Sequence, residues 1–281
     1  MMRREAALLI VSVMLWPGRA SAQVTLGVDV ARDRATWHFD NPSNIDTPDL
    51  VPHFFEQAYT LDNVWLEASA AYRAGRLWRT AFAATPVTQS TATDYDTFFD
   101  PGNVTWVSGT TGDARMHSIR ASQELQIASL GRVDLSGGYR VRLDLADFLP
   151  GDKSVTRNGV LVSQSVVTTR ESTRAQTHEF FVTVRAATPR DNPWQLKVRG
   201  DLSPVAVNRL AIELPDKYPG QTLIYRATNL ATSGRLDVIR GTGRWPIVFT
   251  FHGERSWNYS DTQWVVRSSV GLGVSTGASW R

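Results

Sequence analysis

The sequence predicts an all-β protein, a transmembrane antiparallel β-barrel of about ten strands, on three observations. Apolar and polar residues alternate with a period of two along many segments. The alternating runs reach the roughly nine to eleven residues that cross a bilayer at a tilt. Aromatic residues stand at the ends of the apolar stripes, where a barrel meets the membrane interfaces.

The alternation is clearest over 132–146. Val133, Leu135, Gly137, Tyr139, Val141, Leu143 and Leu145 fall on one face; Asp134, Ser136, Arg140, Arg142 and Asp144 fall on the other. In a strand those sets point to opposite sides of the sheet. The C-terminus repeats the pattern, with Trp264, Val266, Val270, Leu272, Val274 and Trp280 on one side. Tyr72 and Trp78 flank one turn, Trp194 starts a strand, and Trp245 precedes another. A large soluble sandwich or lipocalin-like barrel with core aromatics is the competing reading, but strands in soluble sandwiches average about five or six residues.

Residues 1–22 read as a signal peptide. Arg3 and Arg4 form the positive region, Ala6 to Trp16 the apolar region, and Ala20-Ser21-Ala22 the small-residue cleavage site. The apolar run falls well short of the roughly 20 residues of a spanning helix. Residues 23–281 are then one barrel domain in the outer membrane. Its strands are expected near 24–40, 54–73, 77–86, 111–128, 132–148, 174–187, 194–213, 221–240, 245–258 and 263–280. Short turns alternate with long polar stretches, among them 86–112 and 150–174, as periplasmic turns alternate with extracellular loops. The 150–174 stretch is rich in Ser, Thr and Val and reads equally as an outward hairpin extension of two strands. Alternation fades around 229–235, and a twelve-stranded count stays open.

The chain has no cysteine, which excludes disulfides and thiolate chemistry. Beyond residue 22 it carries 27 Lys+Arg against 26 Asp+Glu, a balance that gives no reason to expect a nucleic acid partner. The polar faces place Glu67, Arg73, Arg79, Arg120, Glu124, Asp134, Arg140, Arg142, Asp144, Glu179, Arg185, Lys197, Arg199 and Asp201 in the lumen. Mixed signs in a narrow barrel suit an ion-paired plug; a selective pore is the alternative.

One acidic stretch stands out as a candidate catalytic site. Asp94 and Asp96, two apart on an extended segment, point the same way and could share a proton or position a water. A solvated acidic loop or a weak cation site is the bland reading. The histidines His38, His53, His117, His178 and His252 lack metal-ligand spacing, and no phosphate loop or His-Glu-x-x-His occurs, so no metal or cofactor is expected.

At Asp94-Tyr95-Asp96, Asp100 and Thr105-Trp106 the chain resembles the omptins, ten-stranded outer-membrane aspartate/histidine proteases with an Asp-x-Asp pair in the second extracellular loop. The resemblance implies a second catalytic pair, from an Asp-Glu-His ahead of a Pro-Gly. Here that stretch reads Ile212-Glu213-Leu214, followed by Pro219-Gly220, so Ile212 and Leu214 stand where Asp and His are expected. Without an imidazole the omptin mechanism lacks its general base. By parity His252 faces the lumen on the ninth strand and could in principle substitute. Three functions remain: a non-catalytic barrel with surface-binding loops, an endopeptidase using Asp94 and Asp96, and a small channel. The expected partners are outer-membrane lipid, including lipopolysaccharide by analogy with omptins, and an extracellular protein or peptide, with the barrel itself a monomer.

Overall fold

The computed structural model describes residues 22–40, 54–74, 78–99, 105–189, 192–215, 219–241, 246–259 and 265–280. Residues 1–21 of the expected signal peptide lie outside the described residues, as do Asp100, Trp245 and Trp264, while its last residue, Ala22, opens the first strand. Eleven strands follow in order: β1 (Ala22–Asp40), β2 (Phe54–Ala74), β3 (Trp78–Phe99), β4 (Thr105–Leu130), β5 (Val133–Arg157), β6 (Val160–Val167), β7 (Glu171–Ala187), β8 (Trp194–Glu213), β9 (Leu223–Arg240), β10 (Ile247–Asn258) and β11 (Val265–Trp280).

Ten of these form a ring. Each pairs antiparallel with two neighbours: β4 with β3 and β5, β5 on to β7, and β1 with both β2 and β11. The β1–β11 seam runs from Val24↔Trp280 to Phe39↔Val265. Such a ring leaves no bare backbone edge in hydrocarbon.

Side-chain exposure follows the predicted parity. Outward residues are apolar and open: Val30 51%, Val182 42%, Val198 52% and Phe251 52% exposed. Their inward neighbours Ser136, Thr183 and Asp201 are buried. An apolar outside around a polar inside inverts a soluble protein and is the pattern of a wall facing lipid. The protein is a transmembrane β-barrel.

Strands β3, β4, β5 and β7 are longer than expected. The stretch 86–112, read as a loop, is mostly strand: β3 continues to Phe99 and β4 begins at Thr105. Prolines account for much of the misreading. Pro86 and Pro150 lie at breaks in the pairing register, where a residue without an N–H interrupts the ladder and the strand resumes beyond it. β9 is one continuous strand although its alternation fades. Ala227, Asn229, Ala231 and Ser233 face in and Thr228, Leu230, Thr232 and Gly234 face out, so Leu230 is the one large apolar residue among small or polar ones.

The 150–174 stretch is the hairpin extension. β5 turns into β6 through Asn158 (φ 50°) and Gly159 (φ 80°), the two positive-φ positions of a two-residue hairpin turn. The turn is tied to β4: Thr105 N–H donates to Asn158 Oδ1 and Asn158 N–H donates to the Thr105 carbonyl, both at 2.8 Å.

Gly138 is required by close approach. A Cβ there would lie 2.3 Å from the Gln123 carbonyl oxygen and 2.8 Å from the Phe181 ring, which fills the lumen beside it. Gly138→Val is expected to destabilise the barrel by about 1–3 kcal/mol through overpacking. Lowered urea resistance of heat-modifiable migration, relative to Gly200→Val where the space is open, checks this.

Candidate functional site

The lumen has two layers. The membrane-level layer is an ion-pair network. Asp201 on β8 accepts from Arg140 on β5 at 2.5 Å, from Arg199 at 2.7 Å, from Thr183 on β7 at 2.7 Å and from Ser233 on β9 at 3.1 Å. Arg140 also pairs with Glu179 at 3.4 Å, and Glu124 on β4 takes Arg185 through both carboxylate oxygens. The Phe181 ring lies under two guanidiniums, 4.7 Å from Arg140 and 5.8 Å from Arg199. Toward the loop end Arg142 joins Asp144 at 2.7 Å and Glu254 at 3.3 Å, and Arg267 pairs with Glu254. Most of the lumen charges read from parity are thus brought together. Arg235 and Asp237, missed because alternation fades there, also face in and pair at 2.7 Å. The side chains of Glu67 and Arg73 lie outside the described residues.

Above this network the interior changes character. Trp37, Ala92, Met116, Phe148, Leu210, Ile212, Leu214, Tyr225 and Val265 belong to one buried apolar cluster drawn from eight strands. Met116, Leu210 and Ile212 are fully enclosed. Met116 sits loopward of Glu124, Phe148 of Arg142 and Leu210 of Asp201, each pair on one strand. Buried amides line the boundary, where Asn229 donates to the Val265 carbonyl at 2.6 Å and Asn208 to the same oxygen at 3.4 Å. The upper lumen is therefore packed like a soluble protein's core, not open as a cleft.

Asp94 and Asp96 sit within β3, not in a loop, and face inward opposite Thr110 and Ser108 of β4. Asp96 is 4% exposed. Asp94 lines a cavity of about 20 Å³ with Thr110, Asp113, Phe148 and Glu171, enough for about one water. The places where the resemblance calls for Asp and His are core: Ile212 is 0% and Leu214 5% exposed. His252 does face the lumen, packed over Gly271 of β11, four ring positions round from β3. The structure does not bring it to Asp94. His178 faces outward, bonded to Tyr139 Oη and, at 2.7 Å, to Gln176. Among the described residues no cluster of three His, Asp or Glu has metal-binding geometry.

No family model matches the chain, and no curated relative does. Among solved structures the fold is similar to the outer membrane protease OmpT from Escherichia coli, at TM-score 0.60 and 7% identity over 92% of this chain and 96% of that one. Weaker matches include the translocator domain of the autotransporter NalP from Neisseria meningitidis, at TM-score 0.38 and 12% identity over 100% and 95% of the two chains. The outer membrane protein AlkL matches at TM-score 0.38 and 10% identity over 95% and 93%. At this identity the OmpT likeness carries the fold alone, that of an outer-membrane β-barrel.

Proposed function

We propose that the protein is a non-catalytic, omptin-like outer-membrane barrel with a surface-binding or structural role. The observation that carries this reading is the apolar core occupying the upper lumen, with Ile212 and Leu214 buried in it. The cavity beside Asp94 holds about one water, and among the described residues no imidazole lies there to take a proton from it. The ion-pair layer beneath argues against a channel, since a pore through it would have to part buried charge pairs.

The expected partner of the wall is anionic lipid, lipopolysaccharide included. Arg32, Arg34, Arg115, Arg226 and Arg255 are exposed on the outer wall, loopward of apolar residues on their strands. Arginine forks suit phosphate oxygens, and Arg255 is held 5.3 Å over the Trp257 ring.

Fluorogenic peptide cleavage by the refolded barrel, with and without lipopolysaccharide, tests the non-catalytic reading. The expected result is no turnover above a buffer blank, the same for the native protein and for Asp94→Ala and Asp96→Ala. Cleavage that Asp94→Ala abolishes would establish the endopeptidase instead. Stepwise conductance in planar bilayers would establish the channel.

A further inference from the structure

β6 belongs to no barrel wall. Its one edge pairs with β5 from Gly151↔Val167 to Arg157↔Val160, and among the described residues no strand pairs with its other edge. The sequence of that edge is Val-Leu-Val-Ser-Gln-Ser-Val-Val, without charge or proline. Val160 is 66%, Leu161 52%, Val162 51% and Val166 63% exposed. Exposed edge strands are ordinarily protected by lysine, proline or a covering loop, because bare N–H and C=O groups with apolar side chains recruit another strand. The charges of this hairpin, Asp152, Lys153 and Arg157, all lie on the inner strand β5. The edge is built to be used.

We infer that the β6 edge pairs antiparallel with the β6 edge of a second copy of this chain. The strand is complementary to itself in one register. Residues directly opposite in an antiparallel pair share a face, so a two-fold axis between identical strands must pass through a residue. With the axis at Gln164, Gln164 meets Gln164, Ser163 meets Ser165, Val162 meets Val166 and Leu161 meets Val167. From Leu161 to Val167 polar faces polar and apolar faces apolar, and Val160 meets Thr168 just past the strand's end. Moving the axis to Ser163 or Ser165 sets Gln164 against a valine, which leaves its amide without a partner. A groove of about 540 Å³ beside Gln164, lined also by Tyr95, Gly109 and Ser154, gives the partner's side chains room on one face.

Symmetry then says where the second copy stands. β6 runs back along β5, whose barrel portion crosses the membrane at a tilt of about 35–45°. A two-fold axis along the membrane normal preserves a strand's component along that normal, so copies side by side present these edges crossed, not antiparallel. An axis lying parallel to the membrane plane reverses that component. The paired copies therefore face each other from two apposed membranes, each a single barrel in its own.

The absence of native cysteine makes the test direct. Two proteoliposome populations carry Gln164→Cys barrels with different affinity tags, are mixed, and are oxidised mildly. Directly opposed strand residues have Cα separations within disulfide reach, so dimers carrying both tags are expected. Mixing Ser163→Cys with Ser165→Cys should give them too, whereas Ser163→Cys with itself should not. A second arm reads vesicle clustering: Val162→Lys/Val166→Lys barrels, folded by heat-modifiable mobility, lose it and regain it when mixed with Val162→Glu/Val166→Glu barrels. Equal yields at all cysteine positions, dimers confined to one population, or clustering indifferent to charge would overturn the inference. So would an edge that captures an extended apolar peptide yet gives no Gln164→Cys dimer.

Discussion

Asp201→Ala is expected to lower the unfolding free energy of the barrel by about 3–5 kcal/mol, because it leaves buried guanidiniums short of their carboxylate. Asp201 is 9% exposed and is the acceptor on which two arginines, a threonine and a serine from four strands converge. Removing it leaves Arg140 with Glu179 at 3.4 Å and Arg199 with Glu124 at 3.9 Å, both too long to replace the direct bonds. Urea titration in detergent micelles, followed by tryptophan fluorescence, reads the loss. Asp237→Ala is the control, since its partner Arg235 is 42% exposed and a pair that open to solvent is worth about 0–1 kcal/mol. Equal losses for the two variants would mean that water in the lumen screens the network as it screens a surface pair, and the plug would be no plug.

Leu210→Ala is expected to cost about 2–5 kcal/mol, the range for emptying a closed core site. Leu210 is 0% exposed inside a ring of strands that cannot collapse inward without breaking register with their neighbours. On the same strand Leu202, 49% exposed, faces lipid, where an alanine leaves space that acyl chains refill. Leu202→Ala is therefore expected to lose clearly less. Comparable losses would mean that the upper lumen is wetter than its packing implies. Bilayer conductance should stay at baseline in Leu210→Ala, because the ion pairs beneath it are untouched.

The barrel was legible in the sequence because its membrane-level portion obeys one rule, apolar outside and polar inside, with a period of two. Arg140, Arg142 and Asp144 were placed in the lumen by that rule alone, and the structure joins them to Asp201, Glu179 and Glu254. Above the membrane the rule lapses, because water wets the outside and the inside is free to be apolar. There Met116, Phe148 and Leu210 face inward, while Arg115, Asp147 and Arg209 beside them face out, the reverse of the membrane-level pattern. Prolines at register breaks, Pro86 and Pro150 among them, completed the misreading of strand as loop. Asp94 and Asp96 were correctly paired on one face, since that depends only on local extension. Their enclosure by residues such as Phe148 depends on which strands close round them, and local pattern does not encode that.

The seam between β1 and β11 has a consequence for how the chain reaches this state. Val24 pairs with Trp280, so the ring's last joint unites strands from opposite ends of the chain, while the other neighbours lie close in sequence. Contacts of such sequence separation form late and slow folding. Until they form, β1 and β11 both carry a bare backbone edge, and each unsatisfied group in hydrocarbon costs several kcal/mol. Hairpins in succession can therefore gather at the bilayer surface but cannot stay inside it singly. Insertion and closure must proceed together, and a chain stalled before its final strand is excluded by the lipid even with nine of its ten strands in register.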